Sequence, residues 1–261
     1  MSQVFDCIAS VVVYDTSPQV LQECIKSFLD TKLKVKIYVI DNSAVEGYYS
    51  LSSDDRVFYH FNHGRNVGFG KGHNIAFENA EVSKYYLVLN PNVFIKEDAL
   101  EKMIQFMDRN SEIGIGTPKV LNLDGTPQYL NKRYPTLYSV FVLHSIPKFF
   151  QFLFLQTLEY SEMRDLNQNE NYEVPFISGV FMLFRRDVLE KVKGFDSGYF
   201  LHFGDLDICR KIQSVGYRTS YYAKTNIVFL SKGITTKNWK IRFLFISNMI
   251  RYFNKWGWKL F

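Results

Sequence analysis

The chain has 261 residues, 47% of them hydrophobic, which is enough for one large domain or for one domain with an appendage. Its formal charge of +5 favours anionic partners such as nucleotide diphosphates or anionic lipid headgroups. Lys and Arg are dispersed and no nucleic-acid-binding motif occurs, so nucleic acid is not an expected partner. We also expect no signal peptide and no transmembrane segment, because neither pattern occurs.

Cysteine and aromatic content add two further expectations. Cys7, Cys24 and Cys209 are widely spaced in apolar surroundings and match no zinc-binding pattern, so we expect reduced core thiols in a cytoplasmic protein. The 24 Phe and 17 Tyr exceed what a core ordinarily absorbs. Some of these aromatic side chains are therefore expected on a binding or interfacial surface.

The amino-terminal part of the chain alternates between strand and helix patterns. Val4–Val13 is an apolar run typical of a buried strand, and Asp15–Pro18 is a helix-start signal followed by apolar residues at helical spacing. Further strands are predicted at Lys36–Ile40 and Arg56–His60. This alternation predicts a parallel sheet flanked by helices, in which ligands bind at the carboxyl ends of the strands. Asp41 is expected at that edge; a purely structural turn at this position is the alternative.

A glycine-rich segment follows between residues 65 and 74. Alternate glycines would let the backbone approach a ligand, and the basic side chains among them could face phosphate. The glycines are Gly68, Gly70 and Gly72, and the basic residues are Arg65, Lys71 and His73. Their spacing matches neither a Walker loop nor a dinucleotide-binding fingerprint, so the segment alone is weak evidence for a phosphate site.

The middle of the chain continues the alternation. A strong strand pattern at Tyr85–Leu89 runs into Asn90–Val93, and a helix is predicted from about Asp98 to Met107. Leu121–Arg133 has the composition of a loop or hairpin with its turn at Asp124 and Gly125.

The stretch from Gly194 to Asp207 carries two carboxylates. Asp205 and Asp207 stand two residues apart at the start of a helical pattern that closes at Gly216. A carboxylate in the first turn of a helix is stabilised by free N–H groups and by the positive end of the helix dipole. The same position leaves an ionised oxygen at the mouth of the fold, as a general base requires. Simple capping of the helix is the alternative.

Taken in order, these motifs resemble those of the inverting family 2 glycosyltransferases of the GT-A fold. The resemblance is to bacterial rhamnosyltransferase-like members that build O-antigen and other surface polysaccharides, and it extends from about Val4 to Leu230. No single piece of it is decisive. The matching segments are Val11–Tyr14, Val39–Ser43, Asn66–Gly70 with Asn74, Leu89–Asn92, Ser178 and Gly179 before Phe181–Leu183, and Gly194–Asp196 through Asp207.

The resemblance implies a fold and a set of donor-binding residues. The fold would be a mixed, mostly parallel Rossmann-like α/β sheet flanked by helices, with a C-terminal helical appendage. Asp41 would hydrogen-bond the nucleotide base, and the glycine-rich segment would line the nucleotide and sugar site. The full nucleotide-sugar-binding set is Val13, Tyr14, Asp15, Asp41, Arg65, Asn66, Gly68, Gly70, Lys71, Asn74, Asn90 and Asn92.

On the acceptor side, the resemblance implies that Asp205 is the catalytic base that takes a proton from the acceptor hydroxyl. Asp207 would hold the loop or the acceptor. The other supporting residues would be Gly179, Phe195, Asp196 and His202. A lone histidine among aromatic residues is more often a packing residue than a metal ligand or a base, and we interpret His202 in that way.

One departure from the family concerns its divalent metal cofactor, Mg²⁺ or Mn²⁺. Asn92 stands where the family usually has the last Asp of its metal-binding motif, and amides are poor ligands for hard divalent cations. We therefore expect weak metal binding through Asn92 or none, with Arg65, Lys71 or Lys232 neutralising part of the diphosphate charge. A metal held mainly by the diphosphate and water is the alternative.

Two aromatic segments stand out: the resemblance places the first near the acceptor side, and the second indicates a membrane surface. Tyr138–Leu158 is rich in Phe, and Trp239–Phe261 mixes Trp and Phe with Lys and Arg. A basic, aromatic, amphipathic helix suits an interfacial position on an anionic membrane. We therefore expect peripheral contact of residues 239–261 with the inner face of the cytoplasmic membrane. Packing of this helix on the domain, or an oligomer contact, is the alternative.

These observations predict a GT-A domain over residues 1–236, with a nucleotide-sugar half (1–120) and an acceptor and catalytic half (121–236), followed by an amphipathic segment (237–261). The expected activity is transfer of a sugar, with inversion, from a nucleotide-diphosphate donor to a glycan acceptor that is expected to be lipid-linked. By resemblance, dTDP-L-rhamnose is the favoured donor. A scaffold subunit that keeps the fold without turnover is the alternative.

Overall fold

A computed structural model of the chain describes residues 4–48, 51, 53–146, 148–231 and 239–260. In that part of the chain, nine strands form one mixed sheet with helices on both faces. The strands are β1 (Phe5–Val13), β2 (Val35–Asp41), β3 (Val57–Phe61), β4 (Ser83–Leu89), β5 (Val93–Ile95), β6 (Ile113–Leu121), β7 (Tyr172–Glu173), β8 (Phe181–Arg185) and β9 (Arg218–Phe229).

The described helices connect and cover these strands. They are α1 (Pro18–Leu29), α2 (Phe69–Asn79), α3 (Ala99–Arg109), α4 (Leu137–Ser145), α5 (Leu155–Ser161), α6 (Arg186–Lys191), α7 (Gly204–Ser214) and α8 (Trp239–Trp256). A 3₁₀ helix at Lys148–Phe154 precedes α5. No helix in the described ranges combines the length and the apolar character needed to cross a membrane.

The strand order across the sheet is β3-β2-β1-β4-β8-β6-β9-β5, with β7 paired to β9. The first four strands of the chain run parallel, whereas β8 is antiparallel to both of its neighbours, β4 and β6. β9 runs parallel to β6 and antiparallel to β5 and β7. The parallel strands therefore present their carboxyl ends at one edge of the sheet, and β8 begins at that same edge.

Two apolar layers cover the sheet. One packs α1 and α3 against it and includes the buried side chains of Phe28 and Met103. The other packs α2, α6, α7 and α8 against the opposite face and includes Leu189, Ile208 and Tyr252. Because both faces are covered, β1 and β4 are buried along almost their whole length, which explains their continuous apolar sequences.

The strand, helix and hairpin predictions agree with the structure to within a few residues. The expected strands at residues 36–40 and 56–60 are β2 and β3, and the helix expected from about Asp98 is α3. At the predicted hairpin, Leu121 and Pro127 form an antiparallel bridge, and the Asn122 amide donates to the Thr126 carbonyl at 2.8 Å. All three cysteines are unpaired and buried, as expected for core thiols.

The C-terminal segment forms helix α8, whose inner face packs on the domain. Tyr252 and Phe253 are each 1% exposed and belong to the same apolar layer as α7. The inner face of α8 therefore agrees with packing on the domain, which was the alternative to membrane contact. The predicted boundary between residues 236 and 237 lies outside the described residues.

Gly72 sets the distance between α2 and β1. A Cβ atom on Gly72 would lie 2.7 Å from the Cγ2 atom of Val12, well inside the contact distance of two carbon atoms. We expect Gly72→Ala to lower the free energy of unfolding by about 1–2 kcal/mol, because overpacking outweighs the better helix propensity of alanine. Chemical denaturation measures this change.

Gly47→Ala is the matched control, since no described atom lies within 4 Å of a Cβ atom built on Gly47. Adding Val12→Ala to Gly72→Ala should recover part of the lost stability, because it opens the space that the new methyl group needs. Equal effects of Gly72→Ala and Gly47→Ala would contradict the packing explanation.

Candidate active site

The carboxyl ends of β1, β2 and β4 lie side by side at one edge of the sheet. Val13 pairs with Asp41 at the ends of β1 and β2, and Val11 pairs with Leu89 at the end of β4. Tyr14, which follows β1, is 56% exposed there. The loops after these strands therefore border the edge at which sheets of this kind bind ligands.

The turn Asn90–Val93 after β4 joins the two halves of the chain. The Asn90 amide donates to the Val180 carbonyl at 3.0 Å just before β8, and the Leu230 amide donates to the Asn92 carbonyl at 2.9 Å just after β9. These two hydrogen bonds hold the end of β4, the start of β8 and the end of β9 together. Asn90 and Asn92 consequently lie at the carboxyl edge, beside the segment that leads into β8.

Backbone N–H groups hold the Asp205 carboxylate at this same edge. Its Oδ2 atom accepts a hydrogen bond from the Gly179 amide at 3.3 Å, and its Oδ1 atom accepts one from the Leu206 amide at 3.0 Å. Gly179 is the residue next to Val180, so the carboxylate lies close to the Asn90–Val93 turn. Asp205 as a whole residue is intermediate in exposure, neither buried nor fully exposed.

The surroundings of Asp205 make it a stronger base than an ordinary aspartate. Burial raises the pKa of its carboxyl group, while the N–H groups of Gly179 and Leu206 and the charge of Lys132 oppose that rise. A raised pKa increases the affinity of the ionised group for a proton, which is the property that general base catalysis uses.

Asp207 has the opposite environment. The residue is 0% exposed, and its Oδ1 atom accepts a hydrogen bond from the Trp256 indole at 2.8 Å and forms an ion pair with the Lys255 ammonium at 2.7 Å. The Asp207 carboxylate faces α8 rather than the carboxyl edge of the sheet, so it does not face an acceptor there. These contacts agree with the other expected role of Asp207, which is to hold the loop.

Asn92 has one neutral side-chain oxygen that no described group binds. Its backbone N–H and its side-chain Nδ2 both donate to Asn90 Oδ1, at 3.0 and 3.1 Å, whereas its own Oδ1 is buried without a hydrogen-bond partner. No group of three or more His, Cys, Asp or Glu residues that could hold a metal occurs in the described part of the chain. A single amide oxygen does not fit a tightly held Mg²⁺ or Mn²⁺, which prefers carboxylate ligands.

Asp41 is buried and both of its carboxylate oxygens have protein partners, while its contact with a nucleotide base stays a prediction. The residue is 0% exposed, and its Oδ1 atom accepts from the Ser43 amide at 2.9 Å while its Oδ2 atom accepts from the Tyr59 hydroxyl at 2.8 Å. The alternative of a structural turn agrees with this geometry, because the carboxylate caps the turn that follows β2.

Two glycines of the glycine-rich segment pack closely against the 195–200 loop. A Cβ atom on Gly68 would clash with the Phe200 carbonyl, and one on Gly70 would lie 3.0 Å from the Cβ atom of Phe195. Gly68 also has a φ of +86°, a backbone conformation that favours glycine. Close packing with the 195–200 loop explains why these two positions are glycine, and their roles towards phosphate stay predictions.

Two further residues of this segment are also structural. Asn74 donates from Nδ2 to the Phe195 carbonyl at 2.8 Å and accepts at Oδ1 from the Phe195 amide at 2.9 Å, so it ties α2 to the loop. His73 is 1% exposed and hydrogen-bonds Ser10 at 2.7 Å. Burial lowers the pKa of His73 to about 3, so it is neutral and cannot act as a phosphate-binding cation.

Several expected donor-binding residues do remain accessible. Arg65, Asn66, Lys71 and Asp15 are exposed around the cleft end of the amino-terminal half. Asn66 Oδ1 accepts from the Gly68 amide at 2.9 Å, which uses part of its capacity. Val13, in contrast, is 0% exposed and belongs to the core. The expected cation at Lys232 lies outside the described residues.

The loop before α7 has contacts on both sides. Phe195 is buried against Phe69 and Phe184, and the Asp196 carboxylate pairs with Arg251 at 2.9 Å. The His202 ring packs edge-on against Phe245 of α8, with ring centres 5.3 Å apart. This packing agrees with the interpretation of His202 as a packing residue.

Sequence reasoning did not identify four residues that interact with the carboxylates of Asp41, Asp205 and Asp207. They are Tyr59, Lys132, Lys255 and Trp256. Tyr59 lies 18 residues from Asp41, and Trp256 lies 49 residues from Asp207. No local spacing pattern could have identified such partners, because their proximity depends on the tertiary fold.

The chain matches the model of the family described as Glycosyl transferase family 2 over residues 9–193, which is more than half of its length, and it belongs to that family. It is similar to the rhamnosyltransferase WbbL of Escherichia coli strain K12, with 26% identity over 164 residues. That similarity covers 59% of this chain and 57% of WbbL, so it spans little more than half of the relative's length.

Solved glycosyltransferase structures share the fold. GalNAc-T7 with UDP, GalNAc and Mn²⁺ gives a TM-score of 0.68 at 15% identity, over 90% of this chain and 45% of the other. The mannosyltransferase PcManGT of Pyrobaculum calidifontis, in complex with GDP-Man and Mn²⁺, gives 0.60 at 14% identity, over 97% and 64%. TarS of S. aureus gives 0.59 at 14% identity, over 86% and 60%. These similarities define a GT-A fold.

Proposed function

We propose that this chain is an inverting glycosyltransferase that moves a sugar from a nucleotide-diphosphate donor to a glycan acceptor, with Asp205 as the general base. The observation that carries the proposal is the Asp205 carboxylate itself. It lies at the carboxyl edge of the sheet, held by the Gly179 and Leu206 amides, and close to the Asn90–Val93 turn. Membership of glycosyl transferase family 2 supports the reaction class.

In the proposed reaction, Asp205 takes the proton of one acceptor hydroxyl. The acceptor oxygen then forms a bond to the anomeric carbon of the donor sugar as the bond from that carbon to the diphosphate oxygen breaks. The nucleoside diphosphate leaves with the bonding electron pair, and attack from the opposite face inverts the anomeric configuration. A carboxylate suits this step because it is ionised near neutral pH and its partner hydroxyl becomes acidic in the transition state.

The proposed donor is dTDP-L-rhamnose, and the proposed acceptor is a lipid-linked glycan of a bacterial surface polysaccharide. The support for rhamnose is the similarity to WbbL, whose name describes a rhamnosyltransferase. Nucleotide-sugar use in general is supported by the fold shared with enzymes solved with UDP and with GDP-Man.

Asp205→Asn tests this proposal. We expect a fall in turnover of about 10²–10⁴-fold, because a neutral amide cannot accept the acceptor proton, with dTDP affinity unchanged in calorimetry. Asp187→Asn is the matched control, since Asp187 is an exposed aspartate in the first turn of another helix, α6. Full turnover in Asp205→Asn would contradict the role of Asp205 as the base, whereas no turnover of any nucleotide sugar by the unaltered protein would favour the scaffold alternative.

The pH dependence follows from the same group. Since the base must be ionised, activity falls as the pH drops through the pKa of Asp205. That pKa is raised by burial, so the acid limb of kcat/KM, meaning the fall of kcat/KM towards low pH, should have its midpoint above the ordinary aspartate pKa of about 3.9. Loss of this limb in Asp205→Asn would accompany the loss of turnover.

Metal use is the next part of the proposal. Mn²⁺ occurs in two of the solved relatives, but here the Asn90–Val93 turn contributes one neutral oxygen, Asn92 Oδ1. We infer that the diphosphate is bound without a resident divalent cation. The exposed cations Arg65 and Lys71 supply part of the compensating charge. No step of the proposed reaction depends on a metal.

Asn92→Asp tests metal use through binding. We expect dTDP affinity of the unaltered protein to differ less than twofold between buffers containing Mn²⁺ and EDTA, and Asn92→Asp to gain a dependence on Mn²⁺ of at least about fivefold, because a carboxylate binds hard cations well. Asn169→Asp, an exposed site on another loop, is the control. Loss of dTDP binding by the unaltered protein in EDTA would refute metal-free binding.

A peripheral position on an anionic membrane completes the proposal. On α8, Trp239, Phe243, Ile246 and Ile250 are 71%, 67%, 49% and 43% exposed, and their spacing of four, three and four residues forms one outer stripe. The basic side chain of Arg242 is exposed on the same helix. Apolar side chains beside a cation suit the interface of an anionic bilayer.

The aromatic segment before α5 also exposes apolar side chains. Phe141, Phe149 and Phe152 are 58%, 80% and 58% exposed, as expected for aromatic residues in excess of the core. The Leu137 amide at the start of α4 donates to the Lys259 carbonyl at 2.9 Å. This hydrogen bond joins the start of α4 to the residues that follow α8.

Vesicle sedimentation measures the membrane contact. The double variant Phe243→Ser/Ile246→Ser is expected to bind vesicles of phosphatidylglycerol and phosphatidylcholine at least about tenfold more weakly, because less apolar area enters the interface. Val45→Ser, which replaces a 77% exposed apolar residue on a distant loop, is the control. Unchanged binding by the double variant would contradict membrane contact through α8.

A further inference from the structure

Helix α8 lies along the loop that leads into α7, the helix that carries Asp205. It contacts that loop at successive turns. Asn248 donates from Nδ2 to the His202 carbonyl at 3.1 Å. The ring of Phe203, the residue before α7, packs against Phe245 and Tyr252 with ring centres 5.3 and 5.4 Å apart. Phe203 also has a φ of +69°, an uncommon value for a residue with a side chain, so α8 supports a strained backbone at the entry to α7.

The strongest of these contacts involve a buried charge. Asp207 is 0% exposed, and its Oδ1 atom is bound by both the Trp256 indole N–H and the Lys255 ammonium. Its Oδ2 atom is buried without a partner in the described part of the chain. A carboxylate buried in this way is stable only when charged or polar partners compensate it, and α8 supplies the partners found here.

A second contact fixes the other end of the same loop. Lys255 Nζ lies 3.3 Å from Asp196 Oδ2 as well as 2.7 Å from Asp207 Oδ1, so one ammonium bridges the beginning and the end of the loop. Arg251 adds a hydrogen bond to Asp196 at 2.9 Å. The match to the family model ends at residue 193, so these contacts lie beyond the matched region.

We propose that Trp256 and Lys255 are positioning residues for Asp205, acting through Asp207. They hold the first turn of α7 so that the Asp205 carboxylate keeps its place in the cleft, and they neutralise the neighbouring charge of Asp207. The structural part of this inference stands on the contacts of α8, and its catalytic part rests on the proposed role of Asp205 as the base.

The electrostatic consequence follows from the groups that face the two carboxylates. An uncompensated charge on Asp207 would disfavour ionisation of Asp205, because like charges nearby raise a carboxyl pKa. The charged or titratable groups that face the pair are Lys132 before β7, Lys211 and Cys209 on α7, Asp196 and Tyr199 in the loop, and Arg251, Tyr252 and Lys255 on α8.

Trp256→Phe is the central test, since it removes one hydrogen-bond donor and keeps an aromatic ring. We expect kcat to fall about tenfold through misplacement of the base, with KM for the nucleotide sugar changed less than twofold. The acid limb of kcat/KM should move to higher pH. Trp258→Phe is the matched control, because the hydrogen bond of the Trp258 indole in the described part of the chain goes to Asn254, a residue of the same C-terminal segment.

Hydrogen exchange of the peptide containing residues 203–209 gives a readout that does not depend on turnover. We expect faster exchange of this peptide in Trp256→Phe and not in Trp258→Phe, because release of Asp207 loosens the turn in which the Leu206 amide bonds Asp205. Adding Asp207→Asn to Trp256→Phe should return the acid limb towards its original pH, since it removes the uncompensated charge. A merely structural role of Trp256 would not produce that return.

Each outcome decides one part of the inference. Unchanged exchange and an unchanged acid limb in both Trp256→Phe and the second variant, Lys255→Met, would overturn the positioning role. Equal losses in Trp256→Phe and Trp258→Phe would overturn it too, because the effect would then be general to the segment. If exchange responds but Asp205→Asn retains full turnover, the positioning by α8 stands and the proposed catalytic role of Asp205 fails.

Discussion

The two carboxylates of α7 have different environments because two residues of helix turn the side chain by about 200°. Asp205 therefore faces the carboxyl edge of the sheet, where backbone amides hold it, and Asp207 faces inwards towards α8. Asp205 lies where a general base is needed, and Asp207 has the burial that a structural anchor needs. The arrangement of the carboxyl-terminal half depends on keeping the first turn of α7 in this orientation.

The sheet supplies the other half of the geometry. Its parallel strands end at one edge, and the antiparallel strand β8 starts there, so the segment containing Gly179 and Val180 reaches both the turn after β4 and the carboxylate on α7. A mixed sheet is what permits this arrangement, because an antiparallel strand inserted beside β4 brings a later part of the chain back to the ligand-binding edge. The cleft is thus assembled from backbone contacts more than from side-chain pairs.

Much of the fold could be predicted from the sequence, because apolar runs and helix-start signals are local. The placement of Asp205 in the first helical turn was predicted on the same grounds, and the structure agrees. The protein neighbours of Gly68, Gly70, Asn74 and Asp41 could not be predicted, for one physical reason. Each of these residues is occupied by a neighbour that is distant in sequence, and a glycine that admits a close neighbour looks the same in sequence as one that admits a phosphate.

The contacts of Asp207 with α8 have a consequence for how this region can change during evolution. Replacing Asp207 alone would leave an indole N–H and an ammonium without their acceptor, and replacing Trp256 or Lys255 alone would leave a buried anion less compensated. Each single replacement therefore gives a less stable protein, whereas simultaneous replacement of all three residues need not. The three positions should therefore be inherited as a set, and an exchange of C-terminal segments between relatives should succeed only when the residue at position 207 is exchanged with them.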